Sequence, residues 1–168
     1  MPAGLKQTSS IVSIGFSVSE SAANTFTQGS VDLNLSPLDR EVFVVLACNL
    51  YPESPDMIGG LNTVTNASLT TTSQTAVANL GNANCISVAN ERIRADPVMA
   101  VGFQTQSLET PPSTLEYIGI IATNDFFVQV IGGNNLVAKG VSGKVYGYRA
   151  MATADIYAAL VKSEVLSA

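Results

Sequence analysis

The sequence predicts an all-β fold, a sandwich of about eight antiparallel strands followed by a short C-terminal helix. Two patterns predict the strands. Apolar residues alternate with polar ones in several short segments, which is the period of a half-buried strand. Clusters of Gly, Pro and Asn separate these segments. Because many antiparallel strands can each bury one face in a sandwich or barrel, the 168 residues are expected to form one β domain.

The first strands are predicted over residues 12–18 and 31–35, where Val, Ile, Phe and Leu alternate with Ser, Gly, Asp and Asn. Residues 42–48 form a continuous apolar run that contains β-branched and aromatic residues. A run of this length and composition favours a strand that is buried on both faces, so it is the predicted centre of the sheet.

The middle of the chain is less regular. Residues 59–84 are rich in Thr and Asn, and their apolar residues follow no period. We therefore expect an elaborated loop region with one or two short strands around residues 63–72. Further strands are predicted over residues 84–94 and 98–107.

The last third predicts strands over residues 115–123, 126–131 and 141–151. Asn124-Asp125 between the first two indicates a tight hairpin turn. The apolar residues of the best-patterned strands are expected in the core: Val12, Ile14, Phe16, Val44, Leu46, Ile118, Ile120, Phe127 and Val145.

The period becomes helical after residue 152. Thr153 is suited to cap the helix, and Lys162 lies near its C-terminal end. The predicted organisation is therefore a flexible N-terminal arm over residues 1–10, a sandwich over residues 11–152 and a C-terminal helix over residues 153–168.

The composition excludes several enzyme classes. The chain has no His, so zinc enzymes and hydrolases that depend on a Ser–His–Asp or Cys–His pair are excluded together. The segment Gly140–Lys144 is superficially similar to a phosphate-binding loop, but Val145 stands where that loop needs Ser or Thr. We therefore predict no enzyme activity, no cofactor, and no catalytic, cofactor-binding or metal-binding residues. The loop acids are interpreted as solvated charges rather than calcium ligands.

Charge and cysteine content further limit the partners and the kind of protein that we expect. Only 12% of residues are charged, and the net charge of −5 comes with scattered basic residues, so we expect neither nucleic acid nor a small-molecule substrate as partner. Cys48 and Cys85 are either small core residues or a bridged pair, and folding inside a cell favours the former. No secretory signal or membrane-length apolar run is visible, which predicts a chain made as a soluble protein without signal peptide.

Two groups of residues are candidates for an interface. Arg92 and Arg94 share one face of a predicted strand, as a clamp for a neighbour's carboxylate or as part of an ordinary solvated edge. On the helix, Ile156 and Leu160 lie on one side and Tyr157 and Val161 on an adjoining side. Since a helix needs one face for its own core, the other is expected to contact a neighbour.

In size, strand number, Asn/Thr/Ser-rich loops and the hairpin-plus-helix C-terminus, the chain resembles the small single jelly-roll major capsid proteins of tailless icosahedral viruses of bacteria and archaea that enclose an internal membrane. The resemblance implies a jelly-roll sandwich located in the virion, a structural protein that self-assembles into an icosahedral capsid shell as a major or minor capsid protein. The implied partners are copies of itself, a second capsid protein and the internal membrane.

A receptor- or glycan-binding β-sandwich domain of a virion spike or surface adhesin is the alternative. Such a domain would purify as a stable monomer or trimer, whereas a shell protein would form large particles or ordered multimers.

Overall fold

The computed structural model describes residues 1–107 and 112–167. Within these residues the chain forms ten strands and one helix. They are β1 (Leu5–Gln7), β2 (Val12–Ser19), β3 (Thr27–Asp32), β4 (Glu41–Pro52), β5 (Thr63–Thr70), β6 (Cys85–Ala95), β7 (Ala100–Gln106), β8 (Gly119–Ile121), β9 (Asp125–Gly133), β10 (Gly140–Ala152) and α1 (Ala154–Leu166).

The strands form two antiparallel sheets that pack face to face. In sheet A, β4 lies between β8 and β10, and the other side of β10 pairs with both β1 and β2. Sheet B has the order β3-β9-β5-β6-β7. The predicted all-β sandwich with one C-terminal helix is confirmed.

The pairing of the strands is nested along the sequence, as in a long hairpin wound into a roll. β2 pairs with β10, β3 with β9, β4 with β8 and β5 with β6. Two four-stranded sheets connected in this way are a jelly roll. The remaining two strands are additions: β1 extends sheet A beside β10, and β7 extends sheet B beyond β6.

The central strand β4 is buried on both faces, as its continuous apolar run predicts. Phe43 and Val45 point into the inner core between the two sheets, where Phe126 and Leu69 are also fully buried. Their neighbours Val42 and Val44 point the other way, into an outer core between sheet A and α1. This outer core contains Leu5, Val42, Val44, Ala122, Tyr148, Ala150 and Ala152, and it explains why the strand has no polar side.

Most of the predicted core positions are in one of the two cores. Val44 and Val145 are fully buried. Five others are partly buried and pack against a core: Ile14, Phe16, Ile118, Leu46 and Ile120.

Two predicted core residues are wrong. Val12 is 41% exposed because it begins an outer strand and is paired with Gly147, which has no side chain to cover it. Phe127 lies on the outer side of sheet B, and its neighbour Phe126 is buried instead. The pairing with β5 fixes this register, since Leu69 lies opposite Val128 and both point inward.

Asn124-Asp125 does not form the predicted hairpin turn. The strands on either side belong to different sheets, β8 to sheet A and β9 to sheet B. Asn124 instead accepts a hydrogen bond from the backbone N–H of Leu35 (2.8 Å) and donates one to Asp32 (2.9 Å). The two residues therefore mark a crossing between the sheets.

The N-terminal segment is partly integrated in the sandwich, which corrects the predicted boundary at residue 11. Residues 5–7 form β1 beside the end of β10, and Leu5 is buried in the outer core. Gly4 adopts a left-handed backbone (φ 78°), and a Cβ there would collide with the side chain of Ile156. Leu5 and Gly4 therefore bring the beginning of the chain into contact with the outer core and with the side chain of Ile156 on α1.

Helix α1 follows β10 directly. The backbone oxygen of Thr153 accepts the hydrogen bond from Tyr157 N (2.9 Å), but the Thr153 side chain makes no capping hydrogen bond, contrary to the expectation. The helix ends at Leu166, and residue 168 of the predicted range lies outside the described residues.

Candidate functional site

The four predicted interface residues of the helix lie in one stripe. Ile156, Tyr157, Leu160 and Val161 are all partly buried and pack against the outer core. On a helix, residue 160 neighbours both residue 156 (i, i+4) and residue 157 (i, i+3), and residue 161 neighbours residue 157, so the two predicted sides merge into one face. The expectation that one of the two pairs is left free is wrong, because both contact the sandwich of the same chain.

Glu164 continues this stripe and anchors the end of α1. It is 6% exposed, and its two carboxylate oxygens accept the backbone N–H groups of Ala122 (2.7 Å) and Thr123 (3.0 Å). Asn84 donates to the backbone oxygen of Glu164 (3.2 Å). Burial raises the pKa of Glu164, and the hydrogen bonds from Ala122 and Thr123 offset part of this rise. The helix is therefore an integral layer of the domain.

Arg92 and Arg94 lie on the outer face of sheet B, while Glu91 points to the opposite face, where it accepts a hydrogen bond from Ser54. Their strand β6 is not an edge, because β7 covers its other side. Arg94 is exposed and Arg92 is partly buried. Neither forms an ion pair with an acid in residues 1–107 or 112–167.

Both arginines line a shallow groove whose wall contains both polar and apolar side chains. One half of the groove, about 330 Å³, is lined by Asn62, Val64, Asn66, Asn90, Arg92 and Arg94 among others. The other half, about 300 Å³, also has Asn66 and Asn90 in its wall and is bordered by residues 77–79. The amide of Asn90 donates to Asn66 Oδ1 (2.7 Å). Asn90 Oδ1 and Arg92 Nε are both buried without a hydrogen-bond partner among the described residues.

The β6–β7 hairpin (residues 94–106) has the most exposed apolar surface in sheet B. Asp96 fixes its turn by accepting the backbone N–H groups of Val98 (2.8 Å) and Met99 (2.6 Å), and these bonds lower the pKa of Asp96. Val98 is 90% exposed, and Phe103 is 49% exposed. Residues 100–105 are exposed on both faces of the strand.

The turn of this hairpin belongs to a larger apolar end of the sandwich, formed with the loops over residues 53–62 and 134–139. Gly60 N–H donates to the backbone oxygen of Asp96 (3.2 Å), which joins the hairpin to the first loop. The exposed apolar side chains of this end are Met57, Leu61, Val98, Met99, Leu136 and Val137.

Polar contacts beneath hold the loops of the apolar end together. Asp56 accepts hydrogen bonds from Lys139 Nζ (2.7 Å) and from Leu136 N–H (2.8 Å). These contacts lower the pKa of Asp56, with the Lys139 bond as the largest cause. Asp56 therefore stabilises the loops from beneath, and the apolar side chains of these loops face solvent.

The cysteines and acids give no sign of chemistry in the described part of the chain. Cys48 and Cys85 are free, and burial raises the pKa of the Cys48 thiol to about 12, so the thiolate is scarce at neutral pH. No group of three or more acids or cysteines that could hold a metal occurs in residues 1–107 and 112–167. No described helix is long and apolar enough to cross a membrane.

No family model matches the sequence, and no curated protein matches it. Among solved structures, the chain is similar to a tailspike protein, gp49 from Acinetobacter baumannii bacteriophage Fri1, a capsular polysaccharide depolymerase. The likeness has 10% sequence identity and a TM-score of 0.17, and it covers 75% of this chain and 21% of the tailspike chain. With so low a TM-score it carries no argument on function.

The sequence predicts the two arginines and the helix residues as interface candidates, which stays a prediction, and it does not point to the exposed hairpin or the apolar end. One signal was present: residues 97–107 contain no charged residue, although Val98, Met99, Val101 and Phe103 lie within them. A strand of that composition in a monomer is normally shielded by charges or by a neighbour.

Proposed function

We propose that this protein is a structural virion protein whose copies assemble into an icosahedral capsid shell, as a major or a minor capsid protein. The observation that carries the proposal is the group of exposed apolar side chains on the apolar end and the β6–β7 hairpin of a jelly roll. In this proposal the partners are copies of the chain, joined in some shells by a second capsid protein or by an internal membrane. The role requires no catalytic turnover.

The exposed apolar end favours association, because contact between copies would bury it. Val98 and Leu136 are 90% and 76% exposed, and full burial of such side chains contributes about 1.5–3 kcal/mol each. A monomer gains nothing from keeping a cluster of this kind in water, and such patches mark interaction surfaces. In closed symmetry the same patch recurs in every copy, so modest contacts add up over a shell.

The low charge supports the same conclusion. With 12% charged residues and a net charge of −5, two copies repel each other weakly at physiological salt. Contacts between such surfaces are expected to be apolar and hydrogen-bonded.

Sedimentation velocity on the purified full chain tests the proposal. We expect large species whose fraction rises with protein concentration and with ammonium sulfate, because this salt strengthens apolar burial. The double variant Val98→Asp/Leu136→Asp should raise the concentration needed for assembly at least about tenfold, since it puts charges in the contact. Leu38→Asp, at a 95% exposed position on the β3–β4 loop, is the matched control and should assemble normally.

A chain that stays monomeric at every concentration and salt, or a double variant that assembles like the wild type, would contradict the proposal.

The groove beside Arg92 and Arg94 favours a second candidate, a receptor- or glycan-binding domain of a spike or adhesin. Asn66, Asn90 and Arg92 line the groove, and their amide and guanidinium groups are of the kind that bind hydroxyl and carboxylate groups. This candidate predicts a stable monomer or trimer that binds a glycan, with affinity reduced by Asn90→Ala and Arg92→Ala. Large assemblies with no such binding would contradict it.

A further inference from the structure

Strand β7 leaves one edge of sheet B open. It pairs with β6 along its length, and no other strand of the described residues pairs with it. Two backbone hydrogen bonds at its ends fix which groups are used: Asp96 N–H donates to Met99 O (2.9 Å), and Ser107 N–H donates to Val88 O (3.0 Å).

The alternation of an antiparallel ladder gives the rest of the pattern. Since residues 99 and 107 bond to β6, residues 101, 103 and 105 do so as well. The N–H and C=O groups of Ala100, Gly102 and Gln104 therefore point away from β6. This edge is a template for another strand, because β7 has neither Pro nor a charged side chain to protect it.

We propose that β7 pairs antiparallel with β7 of a second copy, so that two B sheets become one continuous sheet. The inference rests on the proposed function, and it identifies one of the contacts of that assembly.

The strand suits a second copy because it is complementary to itself. When the full strand pairs about its centre, Phe103 lies opposite the Phe103 of the other copy, and Val101 lies opposite Thr105. Aromatic and β-branched pairs of this kind stabilise sheets. Gly102 and Gln104 lie opposite one another, so their outward N–H and C=O groups bond across the contact.

Charge is compatible with this pairing. No residue of β7 is charged, so no like charges face each other across the two strands. The nearest cations, Arg92 and Arg94, lie one strand further back in each copy. A single strand pair is small beside the roughly 1,200–2,000 Å² of a stable complex, so it is expected to act together with the other shell contacts.

Gly102 allows a test that leaves the monomer intact. Gly102→Pro removes an N–H that no described residue uses, and proline is tolerated at an edge where the N–H faces solvent. Gly102→Ala is the matched control, because it keeps the N–H, and a Cβ at this position has no atom within 4 Å. Assembly of the wild type and both variants is measured by sedimentation velocity over a concentration series, after circular dichroism has confirmed folding.

We expect Gly102→Ala to assemble as the wild type does, and Gly102→Pro to need at least about tenfold more protein. Assembly of the Pro variant at the wild-type concentration would overturn the β7 pairing, and so would an equal loss in the Ala variant. If the Pro variant does not fold, Phe103→Lys decides in the same way, since it puts two ammonium groups at the centre of the contact. A wild-type chain that never assembles refutes the proposed function instead, so the two failures are distinguishable.

Discussion

Replacing Glu164 by Ala should release the end of α1 from the sandwich. The change leaves the N–H groups of Ala122 and Thr123 without the acceptors that now lie 2.7 and 3.0 Å away. An unpaired buried donor costs about 1–3 kcal/mol, and Ala122 is buried while Thr123 is partly buried. We therefore expect the free energy of unfolding to fall by about 2–4 kcal/mol.

Urea denaturation followed by circular dichroism measures this loss. Glu164→Gln keeps one acceptor oxygen, so it should lose about half as much. Lys162→Ala removes an exposed side chain from the same helix and is the control, with an expected change within about 0.5 kcal/mol. A loss below about 0.5 kcal/mol for Glu164→Ala would refute the anchoring role.

The same carboxyl group predicts a dependence on pH. Burial raises the pKa of Glu164 in the folded state above its usual value of 4.5, so the folded chain binds this proton more readily than the unfolded chain. The part of its contribution to stability that depends on protonation is therefore complete below the usual pKa and is lost as the pH rises through the raised one. The difference in unfolding free energy between wild type and Glu164→Gln should be larger at pH 4 than at pH 8. An unchanged or smaller difference at pH 4 would contradict this.

Three further outcomes are expected. Phe126→Ala should lower the free energy of unfolding, measured by chemical denaturation, by about 3–5 kcal/mol, because Phe126 is fully buried and packs edge-to-face on Phe16. Phe127→Ala should lower it clearly less, and equal losses would refute the register of β9. Asp56→Asn should speed proteolysis of the apolar end. Acidification through the lowered pKa of Asp56 should do the same, because the contribution of this carboxylate to stability is present above the usual pKa of 3.8 and is lost as the pH falls through the lowered one. A proteolysis rate that does not change would argue against this role of Asp56. EDTA should leave the melting temperature nearly unchanged, because the loop acid Asp56 already accepts hydrogen bonds from Lys139 Nζ and the backbone N–H of Leu136. A drop of more than about 10 °C would indicate a calcium site.

The elements that the sequence predicts well are those whose own stretch of residues carries a distinct apolar pattern. The run over residues 42–48 predicts a doubly buried strand, and the structure confirms it with a core on either face of β4. The helical period after residue 152 likewise predicts α1. In both cases the pattern of apolar residues is fixed by local geometry, so no knowledge of the neighbours is needed.

The wrong predictions concern residues whose burial or turn type depends on which strands pair in the folded chain. Phe126 and Phe127 are both large and apolar, so only the pairing of β9 with β5 determines which one is buried. A turn signal such as Asn124-Asp125 cannot tell a hairpin from a crossing between sheets. The two faces predicted for α1 merged for a similar reason, because the outer core that receives them is built from Leu5 and β10, which are far apart in sequence.

The candidate surfaces depend on the order of strands in the sheet, which a single sequence does not encode locally. The alternation along β6 predicts that Arg92 and Arg94 share one face, as they do, but the neighbours of β6 decide that they line a groove. The uncharged apolar segment 97–107 indicates an unusual strand, and only the strand order shows that β7 lies at the open end of sheet B.

Electron microscopy of the purified full chain at high protein concentration and high salt tests self-assembly most directly. The proposed function predicts closed particles of uniform diameter built from many copies of the jelly roll. Fields that contain only monomers or small fixed oligomers such as trimers, under every condition in which the chain is folded, would contradict it.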